Sequence, residues 1–209
     1  MVHLVKLHSF IRSLIISPKL IEKYIPQSGH ILDIGCGYGV ISHHLATTSS
    51  KRHILGIDPS LIKINRARAT YQRPNLSFKV AYAQNQIGKF QAIVIVNVLY
   101  LLPPKEKARL IYQARRLLAP DGKLILVVFN NQKSKLIAAL VAFEEKVAVH
   151  LLHQTFTKYP KLYFTSPAEC SQILLTQKMK IIHQVETRGL IPYHQTVFIA
   201  KKDKSVIHH

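Results

Sequence analysis

The residues best suited to chemistry stand at the ends of two successive apolar runs. Ile31-Leu32-Asp33-Ile34-Gly35-Cys36-Gly37-Tyr38-Gly39 places glycines at alternate positions after a strand-like stretch, with an acid two residues before the first glycine. Glycine lets the backbone turn tightly there and approach a ligand closely, while the N-terminus of the next helix faces the same point. The second run ends in Gly56-Ile57-Asp58, which puts a carboxylate 23 residues after Gly35. At the carboxyl edge of a parallel sheet, such a carboxylate can accept hydrogen bonds from both hydroxyls of a ribose, each charge-assisted bond being worth about 1.5–3 kcal/mol. Together the two features read as a site for a nucleoside-bearing cofactor. The dinucleotide fingerprint G-x-G-x-x-G needs a glycine at position 40, where this chain has Val40, whereas Gly39 completes G-x-G-x-G. The alternate spacing and the preceding acid favour S-adenosylmethionine.

These acids stand out because acids are scarce. The 209 residues hold 29 Lys plus Arg against 10 Asp plus Glu, a formal net charge of +19, and Glu22, Asp33 and Asp58 are the only acids before Glu106. The excess is spread evenly, +9 over residues 1–104 and +10 over residues 105–209, which excludes a single basic arm and leaves a basic surface. An apolar content of 48% excludes a disordered basic protein. Two cysteines, Cys36 and Cys170, are too few for a disulfide framework and read as free thiols. No run approaches the roughly 18–20 apolar residues that span a bilayer. Lys6 and Arg12 interrupt the apolar N-terminus, so no secretory signal is expected and the expected location is cytoplasmic.

The elements that must position the two motifs follow from periodicity. Leu4, Leu7, Ile11, Leu14 and Ile15 have helical spacing, and a short second helix is expected over 18–24. Strands are expected over 30–33, 53–57, 76–80 and 92–96, with helices over 40–47 and from Ser60, a plausible N-cap, through Tyr71. Pro103 and Pro104 open a helix to about Leu118, and Asp121-Gly122 turns it into a strand over 123–129. This alternation predicts a parallel sheet with helices on both faces. A long apolar helical segment over 134–155, a helix over 167–177 and strands over 180–187 and 195–201 complete the chain.

The motifs resemble those of the class I S-adenosylmethionine-dependent methyltransferases, most closely the small-molecule group that includes ubiquinone and menaquinone biosynthesis enzymes. ILDIGCGYG resembles their first motif and LGIDPS their second; residues 90–129 resemble the fourth strand, its helix, the turn and the fifth strand. The likeness covers about residues 28–130 and, more weakly, the final pair of strands. It implies a single domain with a Rossmann-like, doubly wound α/β fold: a seven-stranded sheet with the last strand antiparallel, N-terminal helices and an apolar helical insertion. The expected parts are a helical cap (1–27), a cofactor-binding core (28–130), a lid or insertion (131–178), a strand pair (179–201) and a tail (202–209). The resemblance further implies that Gly35, Cys36, Gly37 and Gly39 surround the methionine and ribose portions, that Asp33 orients the amino group, and that Asp58 holds the ribose. Pro59 is then beside the adenine. The family usually has an acid where this chain has Tyr82, followed by Ala83 and Gln84, so the adenine amino group would bond Gln84 or a backbone carbonyl.

Methyl transfer is an in-line displacement that needs alignment, exclusion of water and proton removal where the acceptor demands it. Asn97-Val98-Leu99-Tyr100, at the end of the fourth strand, lacks the pattern that orients a nucleobase amino group. Tyr100, Tyr193 and His194 are the candidate bases; His43 and His44 read as surface or packing residues, and no metal site is expected. The expected function is methyl transfer from S-adenosylmethionine to a small, apolar or lipid-like acceptor, reached at an anionic membrane surface that the charge attracts. An RNA methyltransferase using the basic surface and a non-catalytic cofactor-binding protein are the alternatives.

Overall fold

The computed structural model describes residues 17–129, 161–188 and 194–205. In chain order these form α1 (Pro18–Glu22), β1 (Gly29–Ile34), α2 (Val40–Thr48), β2 (Arg52–Asp58), α3 (Leu61–Thr70), β3 (Leu76–Val80), β4 (Phe90–Val96), α4 (Pro104–Leu117), β5 (Leu118–Phe129), α5 (Pro167–Thr176), β6 (Met179–Arg188) and β7 (His194–Lys202). Short 3₁₀ turns, Ala83–Asn85 and Leu99–Leu101, follow β3 and β4. The expected helices carrying Leu4 to Ile15 and over 134–155, together with Tyr193, lie outside the described residues.

The strands form one seven-stranded sheet in the order β3-β2-β1-β4-β5-β7-β6. β1 to β5 run parallel, and β7 runs antiparallel to both of its neighbours, as the resemblance implied. Alternate residues of each strand feed two cores. On one face Leu32, Ile93, Ile95, Leu124 and Leu126 pack with Ile111 and Ala114 of α4 and with Leu174 of α5. On the other, Ile31, Ile54, Val94, Ile125 and Val127 pack with Ile21 of α1 and Leu45 of α2. Ala92, Ile93, Val94 and Ile95 are all fully buried, because a central parallel strand is covered on both sides and must be apolar at every position.

Arg52 closes the amino edge of the sheet. It is fully buried and donates to Pro26 O (2.8 Å), Leu45 O (3.2 Å), Thr48 Oγ1 (2.6 Å) and Gln27 Oε1 (3.3 Å), with Glu22 of α1 at 3.7 Å. One side chain thereby ties the segment before β1 to α2.

β5 begins earlier than its sequence suggests. Leu118 pairs with Phe90 and Lys123 with Ala92, so residues 119–122 are accommodated by a register shift within the strand instead of a turn before it. Leu118 is fully buried, which fixes that pairing, and a Cβ at Gly122 would lie 2.7 Å from the Phe90 carbonyl oxygen. Among the described residues no helix is long and apolar enough to cross a membrane.

The chain runs from β1 outward through β2 to β3, then returns to lay β4 on the other side of β1. The connections leaving β1 and β4 therefore diverge, and a crevice opens at their carboxyl ends. Gly35 and Asn97 stand at that crevice.

Candidate active site

The glycine loop is a tight turn stitched to β2. Gly35, Gly37 and Gly39 have φ of +74°, +56° and +81°, a region costly to residues with a Cβ. The amides of Gly35 and Cys36 both donate to Ile57 O, at 2.8 and 3.0 Å. A Cβ on Gly35 would meet Val98 Cγ2 at 2.4 Å, and one on Gly39 would meet Phe78 Cζ at 2.5 Å. At Gly37 a Cβ would meet nothing within 4 Å. Two glycines thus serve close packing inside the protein, while the third leaves backbone facing open space.

Asp58 is held from both sides of the site. Its Oδ2 accepts from the Gly37 amide at 3.0 Å and its Oδ1 from the Ser60 amide at 2.9 Å, with the residue 7% exposed. Each oxygen keeps a lone pair for another donor. Ser60 in turn caps α3, its hydroxyl accepting from Lys63 N at 3.4 Å. Asp33 is 2% exposed, and its Oδ2 accepts from Ser42 Oγ at 2.6 Å. Burial pushes the Asp33 carboxyl up to about 6, partly offset by the Ser42 hydroxyl and reinforced by the charge of Asp58. Two neighbouring carboxylates favour a ligand with a cationic centre. The Cys36 thiol is pushed up by burial and then by both carboxylates, which makes it an inert packing group.

The end of β4 supplies the other wall. Asn97 adopts φ +52°, its amide donates to Val127 O at 3.0 Å, and its side-chain Oδ1 is buried without a hydrogen-bond partner. A small, partly open pocket is lined, among the described residues, by Asn97, Leu99, Tyr100, Val127, Val128, Phe129 and Thr165. Phe164 stacks on Tyr100 with ring centres 5.8 Å apart and lies tilted against Phe129 at 5.9 Å. The Tyr163 amide donates to Tyr100 O at 2.7 Å and holds this segment against β4.

Asp33, Gly35, Cys36, Gly37, Gly39, Asp58 and Pro59 come together at the crevice, and Val98 against Gly35 joins the Asn97 end to them. Tyr82, Ala83 and Gln84 follow β3: Tyr82 and Gln84 are exposed and Ala83 is buried. The Tyr82 carbonyl already accepts from Asn85 N at 3.1 Å and Gln86 Nε2 at 3.3 Å. Tyr100, 6% exposed, is a wall of the pocket. His194 opens β7 at the same edge of the sheet, next to the Gln195–Phe129 pair, and is outside the pocket lining. His43 stacks on Tyr71 at 4.2 Å, and His44 pairs with Glu22 at 2.9 Å. Sequence reasoning missed Ser42, Phe164 and Thr165. Ser42 left a trace, as a polar residue on the buried face of α2; the other two left none.

The order of the sheet, with a glycine loop at the point where it reverses, defines the class I S-adenosylmethionine-dependent methyltransferase fold. Residues 31–122 match the family model described as a methyltransferase domain. The chain is 26% identical over 155 residues to a ubiquinone biosynthesis O-methyltransferase of Xanthomonas oryzae pv. oryzae, covering 72% of this chain and 62% of that one. It is 29% identical over 156 residues to the protein of the same name from Xylella fastidiosa, covering 71% and 60%. The chain therefore spans less than two thirds of these relatives' length. Similar folds include an S-adenosylmethionine-dependent methyltransferase of Methanosarcina mazei (24% identity, TM-score 0.67, 88% and 96% coverage). Magnesium protoporphyrin IX methyltransferase of Synechocystis, with S-adenosylhomocysteine bound, is another (22%, 0.63, 84% and 74%). The methyltransferase-domain likeness thus runs from β1 to the start of β5, and the fold of the chain is the one these solved methyltransferases share.

Proposed function

We propose that the protein transfers the methyl group of S-adenosylmethionine to an oxygen of a small, apolar, aromatic acceptor. The observation that carries this reading is the pocket of Leu99, Tyr100, Val127 and Phe129, which adjoins the glycine loop through Asn97 and Val98. The name borne by the relatives supports an oxygen acceptor of quinone-related chemistry.

The residues present suit the cofactor. Gly37 leaves room beside its backbone, Asp58 has lone pairs for ribose hydroxyls, and Asp33 sits where a cationic amino group would be matched. Gly35, Cys36 and Gly39 shape the loop; Pro59, Tyr82, Ala83 and Gln84 would hold the adenine side of the cofactor, and Asn97 would stand on the side of the acceptor. When bound, S-adenosylmethionine supplies an electrophilic methyl carbon on a sulfonium. The chain's own work is to align the acceptor along the bond to that carbon and to limit water there, and the aromatic wall of Tyr100, Phe129 and Phe164 covers one side. Tyr100 acts in this reading as a wall, its ring stacked on Phe164.

The protein works, on the same reading, at the cytoplasmic face of an anionic membrane. Leu61 and Ile62 are 59% and 57% exposed directly after Ser60, at the cofactor edge. Residues 59–89 carry six bases and no acid.

Calorimetry with S-adenosylhomocysteine tests the cofactor assignment: saturable binding is expected, weakened at least about tenfold in Asp58→Ala. A wild type that does not bind sinks the assignment. Transfer of labelled methyl to catechol-bearing acceptors tests the reaction; binding without transfer across a broad phenol screen would favour the non-catalytic alternative. Sedimentation with phosphatidylglycerol vesicles tests the membrane, and tight salt-sensitive RNA binding without vesicle binding would overturn that part.

A further inference from the structure

The acceptor pocket has one polar wall that methyl transfer as described does not use. Thr165, 4% exposed, lies just before α5 and lines the pocket. Its Oγ1 accepts a short hydrogen bond from Lys107 Nζ of α4, and the same ammonium donates to Tyr163 O at 2.5 Å. Lys107 is itself 4% exposed. Burial pulls its pKa down, and the ionisable groups opposing that are Glu169 and Cys170, both on α5. Neither neutralises it by contact. The Glu169 carboxylate accepts from Ser166 N at 2.7 Å in the capping box of α5, and burial pushes the Cys170 thiol up to about 12, so it stays neutral. Among the described residues no carboxylate lies within ion-pair distance of Lys107.

Counting hydrogens gives this cation a purpose. An ammonium has three donors, and two are placed, on Tyr163 O and Thr165 Oγ1. Because Thr165 Oγ1 accepts from the cation, its own hydrogen must go elsewhere. The partner within the protein is Tyr163 O at 3.4 Å, a distance beyond ordinary O–H···O geometry, on an oxygen that already holds the ammonium. The Thr165 hydroxyl is therefore a polarised donor, held inside the protein only by that long contact, at the wall of a largely apolar, aromatic pocket that Asn97 also lines. Among the described residues the lining contains neither a carboxylate nor an imidazole.

We propose that Thr165 and Lys107 form an oxyanion subsite for the methyl acceptor. The Thr165 hydroxyl donates to the acceptor oxygen, and the Lys107 charge behind it favours that oxygen in its deprotonated form. The acceptor is then a phenol whose proton leaves to solvent before transfer, and its phenolate is the nucleophile. Transfer to the phenolate needs no general base. Lys107 acts through Thr165 and is a positioning residue. The inference rests on the reading of this pocket as the acceptor site.

The test uses nitrocatechol, whose phenolate is coloured, as the probe in a complex saturated with S-adenosylhomocysteine. Spectral titration of the bound probe is expected to show an apparent pKa at least about one unit below that of the free probe, a tenfold preference for the anion. Thr165→Val, which keeps the shape, and Lys107→Met are expected to abolish the shift and weaken phenolate binding about ten- to a hundredfold. Affinity for S-adenosylhomocysteine is expected to be unchanged, and Lys107→Arg to restore part of the shift. A purely structural role would instead lower thermal stability and leave the shift intact. Should Lys107→Met fail to fold, Thr165→Val alone decides. A wild type that does not bind or does not shift the probe overturns the proposal, as does an undiminished shift in Thr165→Val. Calorimetry with S-adenosylhomocysteine is read first: its failure removes the cofactor assignment, whereas cofactor binding without a probe shift removes this subsite alone.

Discussion

Replacing Asp33 by Asn separates what the site costs the fold from what it gives the ligand. In the folded protein the Asp33 carboxyl is raised from its ordinary 3.8 to about 6, with burial as the largest cause. Below pH 3.8 both folded and unfolded chains carry the proton and the residue costs nothing. Between those two values the folded state binds more protons than the unfolded one, so stability falls as pH rises. Above pH 6 the full cost is present: about two units, which at about 1.36 kcal/mol per unit is on the order of 3 kcal/mol. Asparagine does not titrate, and its amide oxygen can still accept from Ser42. Urea denaturation of the ligand-free protein is therefore expected to show Asp33→Asn more stable than wild type by a few kcal/mol at pH 7, with the difference vanishing toward pH 4. Comparing the two proteins cancels the acid response of every group that does not interact with Asp33. The ligand arm runs the opposite way. A cationic amino group prefers the ionised carboxylate, so binding of S-adenosylhomocysteine to wild type near pH 6 should release up to about half a proton. Calorimetry in buffers of different ionisation heat reads this, and Asp33→Asn should bind more weakly and release none. A variant no more stable than wild type at pH 7, with the same pH slope, would refute the reasoning.

Other substitutions probe the same framework. Gly37→Ala should cost about 1–2 kcal/mol of stability for its φ of +56° and reduce S-adenosylhomocysteine affinity at least about tenfold by filling the open face of the loop. Gly35→Ala, with its Cβ 2.4 Å from Val98 Cγ2, should show its larger loss in urea denaturation, about 2–4 kcal/mol. Arg52→Met leaves the carbonyls of Pro26 and Leu45 without their donor and is expected to cost about 3 kcal/mol by the same measurement, with cofactor affinity per folded molecule retained. Ser166→Ala removes one half of the capping box of α5 and should lower stability by about 1 kcal/mol, read as a shift in thermal midpoint.

Much of the fold was legible because its signals are local. Alternating strands and helices, the buried run at 92–95 and the cap at Ser60 are patterns of adjacent residues, and each corresponds to an element of the described structure. The start of β5 was misread because Asp121-Gly122 is equally good chemistry for a turn and for a register shift. Only the burial of Leu118 opposite Phe90 decides between them. The candidate site was half legible: the glycines and Asp58 are conspicuous in a chain short of acids, while Ser42 and Thr165 are ordinary residues until the fold gives them neighbours.

By itself the sequence determined where the backbone after the first strand could turn tightly, which strand had to be buried on both faces, and which carboxylates stood at strand ends. Those properties belong to a residue and its immediate neighbours. Tertiary structure alone decided that Gly37 faces open space while Gly35 packs on Val98, and that Asp33 is buried deeply enough to hold its proton to about pH 6. It also brought Lys107 to Thr165, 58 residues away. Desolvation, close packing and hydrogen bonds between distant segments depend on what surrounds a group in space, and the order of the strands in the sheet fixes those surroundings.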